Sequence, residues 1–484
     1  MSELKSAKID LWTESLDSAA SSFFSVSMDV LHVLILIRLL TQEEIGIFFF
    51  SYAILYLFSQ TARGFGVAIR KRATEHNTNR SKYLWNGLIV IIPTLLFLFG
   101  LYILSYPLIT EYSSINLDFS VVIATLLATT GFSILELSRY YLAGCNKPGF
   151  AERFRAIVGK ISLIIITFTS VWFYPTVETA LISVFITYTI TGLLLLYLSP
   201  HNFVKPSKDV IMEILVFSKW SLPTAFLNDF YNRWDTILLG FMVGSISLSY
   251  YDSSLRIAFL SAVLAVGLSK SSNVKMSGLY ETGEKILPTA KKLFIVSTFL
   301  VIPLLIITLF NGEFILHILF GEEYKAAKWY LVGLTIIQIF QCYRMQFESI
   351  FNSIDEPNKT TKASGLAVIV NIITAPFLVL MFGGLGVIYS TILSEIARIL
   401  IYEYQIKCKF EEIIFPTGVI TQFILFSLLC ILIYSISLLF ILSNVQLLIL
   451  SVIFSTVGFY ILQYSISSET RIIVNEFVIE YTNS

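Results

Sequence analysis

Apolar residues run in long blocks along this chain, each block lasting about the 18 or more positions that a helix needs to cross some 30 Å of hydrocarbon before a charged or turn-forming cluster ends it. Fourteen such runs can be delimited: Ser18 to Leu40, Ile45 to Phe65, Tyr83 to Tyr106, Phe119 to Ala143, Ala156 to Tyr174, Val177 to Leu198 and Met212 to Met242 in the first half. Ile246 to Lys270, Leu287 to Phe310, Trp329 to Asn352, Ala363 to Phe382, Leu385 to Tyr404, Thr417 to Leu442 and Val445 to Ser465 follow in the second. The pattern predicts an all-α polytopic membrane protein of about 14 transmembrane helices. An even count returns the C-terminus to the side of the N-terminus. Around the runs, residues 1–17 and 468–484 read as short amphipathic segments, Leu4, Leu11 and Trp12 forming an apolar stripe beside Lys5 and Lys8. A helix of that kind lies in the membrane interface.

Composition agrees with the pattern. Of 484 residues 56% are apolar and 14% charged, where a soluble chain carries about 25% charged residues. Lys and Arg number 33 and Asp and Glu 33, a balance that excludes a nucleic-acid partner, which needs a basic stripe, and disorder, which needs high net charge. The cysteines, Cys145, Cys342, Cys408 and Cys430, are scattered, with no C-x-x-C and no histidine at ligand spacing. No disulfide framework, metal site or cofactor is expected. The N-terminal MSELKSAKIDLWTESLD mixes acids with bases and lacks a small-residue cleavage site, so a secretory signal is not expected there.

Charge becomes informative once it is placed on the spans. With the N-terminus inside, 27 of the 33 Lys and Arg fall at inner ends and loops, Arg63 and Lys160 among them, and only Lys325 and Lys328 in outer loops. Cytoplasmic loops retain positive charge during insertion, so the bias predicts an N-in, C-in topology. Outer connections are short, the longest running from Asn311 to Lys328, too little chain for an external catalytic domain.

Three landmarks recur at nearly one offset. Asp29 matches Asp235, Pro93 in the third span matches Pro303 in the ninth, and Asn146-Lys147-Pro148 matches Asp355-Glu356-Pro357. Six spans is an even number, so a duplicated half enters the membrane in the same sense as the first. The expected organisation is two parallel-repeat six-helix lobes, 18–204 and 214–410, joined by a linker at 205–213, with two appended helices at 411–467.

Four arginines fall outside the loop accounting: Arg38, Arg233, Arg256 and Arg344. Each costs roughly 2.5 to 3.5 kcal/mol at a bilayer centre, so each must face water, a partner or both. Pairing with Asp229, Asp252 and Glu348, each four residues away, is one reading for Arg233, Arg256 and Arg344. A cleft lined with guanidinium groups is the other, and it suits phosphate or pyrophosphate, whose oxygens accept bidentate donation. Asp29 with His32 three residues on reads either as a buried hydrogen-bonded pair or, with Asp235, as a proton- or sodium-coupling site. Glu136 with Arg139, and Glu395 with Arg398, repeat an acid-then-arginine spacing at the inner ends of spans four and twelve. They read as helix clamps or inner gates.

The stretch Arg38-Leu39-Leu40-Thr41-Gln42-Glu43-Glu44-Ile45-Gly46-Ile47-Phe48, followed by Gly64-Phe65-Gly66-Val67-Ala68-Ile69-Arg70-Lys71-Arg72, resembles the polysaccharide-biosynthesis (O-antigen type) flippases of the multidrug/oligosaccharidyl-lipid/polysaccharide exporter superfamily. The resemblance implies two bundles around an alternately open cavity whose cationic lining binds a polyprenyl-(pyro)phosphate-linked oligosaccharide. It implies a multi-pass protein of a bacterial or archaeal cell membrane with no enzymatic step. It also implies headgroup contact at Arg38, Arg233 and Arg256, and a lipid-tail groove at spans thirteen and fourteen. A cation-coupled multidrug antiporter of the same superfamily is the alternative that Asp29 keeps open. A polytopic glycosyltransferase or polymerase is the third reading, and no large external loop or acidic motif beside the membrane supports it.

Overall fold

The computed structural model describes residues 11–74, 80–145, 147–200, 202–412, 414, 417–440 and 443–483. Residues 1–10 of the expected interfacial segment, with Leu4, Lys5 and Lys8, lie outside the described residues. The described chain is helical, with no strand. In order it forms α1 (Leu11–Leu39), α2 (Gln42–Thr74), α3 (Arg80–Tyr112), α4 (Phe119–Gly144), α5 (Pro148–Phe173), α6 (Val177–Tyr197), α7 (Lys208–Met242) and α8 (Ser245–Leu260). There follow α9 (Val263–Glu281), α10 (Leu287–Phe320), α11 (Lys328–Ser353), α12 (Pro357–Phe382), α13 (Leu385–Phe410), α14 (Thr417–Leu439), α15 (Asn444–Ile466) and α16 (Ser468–Asn483).

Among the described residues eleven helices are long and apolar enough to cross a membrane, and α8 with α9 make a twelfth as one bent span. Fourteen were expected. α7 and α11 also have the length, and both carry charges within their runs, Asp229, Arg233 and Asp235 in the first and Arg344 and Glu348 in the second.

Local signals explain several helix ends. Thr41 and Glu44 form a capping box at the start of α2, the Glu44 Oε2 accepting from Thr41 N at 2.8 Å while Glu44 N donates to Thr41 Oγ1 at 3.3 Å. Thr176 and Ser207 cap α6 and α7 through their side chains. Pro148 and Pro357 each stand in the first turn of a helix, α5 and α12, where the missing N–H costs nothing.

The chain packs as two compact units, Met28–Asp252 and Met1–Ser27 with Ser253–Ser484. In the first, α2 is the central helix, against α3, α4 and α7, and α6 lies on α4. Two glycines of the sequence motif permit this. A Cβ on Gly46 would stand 2.0 Å from the Ser245 carbonyl oxygen, and one on Gly64 would stand 2.8 Å from the Leu222 Cα. Small residues let helices approach at backbone distance, the usual means of association where lipid removes the hydrophobic drive. By contrast α3 keeps Leu96, Phe97 and Leu104 on the outside, the apolar exposure that a membrane helix tolerates.

In the second unit Phe294, Tyr343, Phe347, Phe351 and Tyr402 form a ring-on-ring core between α10, α11 and α13, with centroids 4.9 to 5.7 Å apart. A turn at 298–300 interrupts α10 and frees carbonyls at membrane depth. Gln422 of α14 donates to Ile295 O at 2.9 Å, and Tyr460 of α15 donates to Phe299 O at 2.9 Å. The last two spans thus satisfy the broken backbone of α10.

Candidate functional site

Helical spacing gathers the polar groups of the first unit. Tyr52, Tyr56, Gln60 and Arg63 recur at steps of four, four and three along α2 and share one face. Phe132, Glu136 and Arg139 do the same on α4, Asp229 and Arg233 on α7, and Lys160 and Thr167 on α5.

Tyr56 is the hub. Its ring stands 4.9 Å from that of Tyr52 and 5.0 Å from that of Phe132, and Phe132 continues to Tyr188 at 5.1 Å. The Tyr52 and Tyr188 hydroxyls are 3.2 Å apart. Two guanidinium groups lie over the same ring: Arg233 with its Cζ 4.4 Å from the Tyr56 centroid, and Arg63 at 5.8 Å, also 5.6 Å from Phe132. The π face stabilises each cation without neutralising it.

Below the aromatics sits a fully buried carboxylate. Glu136 is 0% exposed, and its Oε2 accepts from Arg63 Nε at 3.1 Å and Arg139 Nη2 at 2.7 Å. Arg139 also pairs with Glu152, which holds Arg155 at 3.3 Å. At the far end Lys160 donates to Asp29, and His32 Nε2 is 3.2 Å from Thr167 Oγ1. Cations outnumber acids on this path, with Arg63, Arg139, Lys160 and Arg233 set against Asp29, Glu136 and Asp229.

Several sequence expectations change here. The reading of Arg233 as a pair with Asp229 gives way to a ring contact: among the described residues no ion pair joins the two, although Asp229 lies within the fields of Arg233 and Arg63. Arg63 and Lys160, read as cations at the inner ends of their spans, pair with Glu136 and Asp29, with side chains 26% and 13% exposed. Asp29 and His32, read either as a pair or as a coupling site, each also meet a residue of α5. Asp235 accepts from Tyr251 at 2.9 Å and Asp252 from Thr236 at 3.2 Å, two bonds that tie α7 to α8. Arg38 is exposed in the last turn of α1.

The second unit holds a similar cluster. Glu395, 2% exposed, lies 3.3 Å from Arg398 Nη1 and 3.8 Å from Arg344 Nη1, and Arg344 Nε lies 3.7 Å from Glu348. Each unit therefore buries one glutamate between an arginine of its own helix, three residues on, and an arginine of another. Arg256 stands half-buried on α8. Among the described residues no cluster of three or more His, Cys, Asp or Glu could hold a metal ion.

Comparison with known proteins places this arrangement. Residues 18–269 match the model of a family described as polysaccharide biosynthesis protein, and residues 221–377 match the MatE family model. The probable flippase AglR of Haloferax volcanii is 25% identical over 265 residues, 52% of this chain and 54% of that one, so the chain spans about half the length of that relative. The probable low-salt glycan biosynthesis flippase Agl15 of the same organism is 22% identical over 404 residues, covering 82% of this chain and 84% of that one. Among solved structures, the lipid II flippase MurJ in an inward closed conformation superposes with a TM-score of 0.75 at 17% identity, covering 93% of this chain and 99% of that one. The fold is shared.

Proposed function

This chain belongs to the polysaccharide biosynthesis protein family, and from that premise we propose that it is a flippase carrying a polyprenyl-(pyro)phosphate-linked oligosaccharide from the inner to the outer leaflet by alternating access. The observation that carries the reading is the pair of guanidinium groups over Tyr56. Arg233 and Arg63 share one aromatic ring; Arg63 spends its Nε on Glu136, while Arg233, held by the π face, keeps its N–H fork for an anionic headgroup. A (pyro)phosphate-linked sugar cannot enter hydrocarbon unaided. A basic, aromatic-lined path replaces its water while the lipid tail stays in the bilayer, and no bond is made or broken.

The finer architecture belongs to the same proposal. Fourteen spans with both termini inside follow if the polar helices α7 and α11 also cross the membrane. Lobes at 18–204 and 214–410 would then rock about the linker, with Arg38, Arg256 and Arg344 adding to headgroup contact. The glutamate clamps at Glu136 and Glu395 would act as inner gates, and α14 and α15 would guide the lipid tail.

The MatE match over 221–377 favours, as a second reading, a multidrug antiporter coupled to an ion. Depletion of the protein in its host separates the two. Lipid-linked oligosaccharide stranded on the cytoplasmic leaflet is the expected result. Normal surface glycan with lost drug efflux would sink the flippase reading.

A further inference from the structure

We infer that Asp29 is a monovalent-cation site that the chain fills with its own Lys160, so that the protein carries a tethered counter-cation where a coupled transporter would take one from solution. The inference goes beyond the flippase reading and does not depend on it.

Three observations support it. Lys160 is the first residue after the five-residue π-helical segment Arg155–Gly159, and such a segment shifts the facing of everything beyond it. The shift sets Lys160 on Asp29, and two turns later sets Thr167 against His32, so α5 meets α1 at two successive points. Second, the ammonium side chain is 13% exposed, so Lys160 meets Asp29 from within the protein, while Asp29, 31% exposed, keeps an open side by which a cation from solution could reach it. Third, the groups around Asp29 are those a bare cation would use or tolerate. His32 stands on its own helix, Tyr52 and Tyr56 on α2 and Tyr188 on α6, and the Tyr52 and Tyr188 hydroxyls both lie in the field of Asp29.

An ammonium group and a sodium ion carry the same charge, and a carboxylate at membrane depth must be matched by one or by a proton. Removing the ammonium while keeping the stem should therefore open the site to a cation from solution.

The test uses the full-length protein purified in detergent, with thermal unfolding measured in sodium chloride and in choline chloride at equal ionic strength. Wild type and Lys160→Arg are expected to unfold at one temperature in both salts. Lys160→Met and Lys160→Ala should be stabilised by sodium by about 3 °C, and methylammonium should stabilise Lys160→Ala by filling the vacated volume. Stabilisation that grows as pH falls through the carboxylate range supports the site equally and names the proton as its occupant. The double variant Asp29→Asn/Lys160→Met should lose every one of these responses. If the single variants fold poorly, extraction in methylammonium chloride should recover Lys160→Ala. Sodium stabilisation of the wild type, folded variants indifferent to sodium, methylammonium and pH, or failure of that recovery would each overturn the inference.

Discussion

The guanidinium carbon of Arg233 lies 4.4 Å from the centre of the Tyr56 ring, and this contact replaces the carboxylate pairing that an aspartate four residues earlier would suggest. A cation satisfied by a π face keeps its donors, whereas one closed on a carboxylate has spent them. Removing the ring while keeping an apolar side chain, Tyr56→Leu, should weaken headgroup binding between about twofold and thirtyfold, the range of a cation–π contact of roughly 0.5 to 2 kcal/mol. Tyr56→Phe keeps the face and should stay near wild type. Flipping of a fluorescent lipid-linked sugar in proteoliposomes reads the difference, and equal loss in both variants would assign the role to the hydroxyl.

Glu136, fully buried, bridges Arg63 and Arg139, and Arg139 also pairs with Glu152. Glu136→Gln leaves two guanidinium groups facing each other without their acid, and breaking a buried pair this way costs about 3 to 5 kcal/mol. Thermal unfolding in detergent should show a large drop. The triple variant Arg63→Met/Glu136→Leu/Arg139→Met removes charges together and should recover most of the lost stability, while a persistent drop would point to packing rather than charge.

Much of this molecule is legible in the pattern of its residues, and the misses have a physical cause. Runs of apolar residues marked the membrane helices because lipid imposes length and hydropathy directly. The same criterion ended the second run at Phe65 and began the fifth at Ala156, so Arg63 and Lys160 read as cations at inner ends, although α2 runs on to Thr74 and α5 begins at Pro148. The spacing Tyr52, Tyr56, Gln60, Arg63 was the available signal, one continuous face reaching the inner end of the second run. Asp29 was legible as an acid within an apolar run, but its Lys160 partner was not, since a π turn changes which face a residue occupies without leaving a mark in hydropathy.

Gly46 meets backbone, not a side chain that could move aside. A Cβ there would lie 2.0 Å from the Ser245 oxygen, so Gly46→Ala must push α2 away from the start of α8. The loss should reach or exceed the roughly 1 to 3 kcal/mol typical of overpacking, seen as a fall in the detergent-extractable monodisperse protein. Gly149, which has nothing within 4 Å of a built Cβ, supplies the control, and Gly149→Ala should extract normally.

Glu356, just before α12, lies 2.8 Å from Lys359 and 2.5 Å from Lys409 at the end of α13. Hydrogen bonds from Lys359 and then Lys409 hold its carboxyl below the usual carboxylate range. A depressed folded-state value means the contact stabilises above the ordinary value of about 4.5 and is lost as pH falls through the lower folded one. For a partly exposed pair the effect should stay under about 1 kcal/mol. Thermal unfolding scanned through the acid range should be less steep for Glu356→Gln than for wild type, and identical slopes would remove the clamp from the account.

The turn that breaks α10 needs outside help, because carbonyls freed at membrane depth have no water to turn to. Gln422, 0% exposed, serves two of the groups there, donating to Ile295 O and accepting from Thr298 Oγ1 at 2.8 Å. Gln422→Leu matches the volume but leaves Ile295 O and Thr298 Oγ1 to their own 3.2 Å hydrogen bond with each other, a cost of about 1 kcal/mol or more. Tyr460→Phe removes only the bond to Phe299 O and should cost less. Both residues cap the same turn, so once one is lost the turn relaxes and the second loss should cost less than it does alone. A double-mutant cycle on thermal stability is therefore expected to be non-additive. Additive losses would mean that α14 and α15 hold the two sides of the break independently, and that the bend in α10 survives without them.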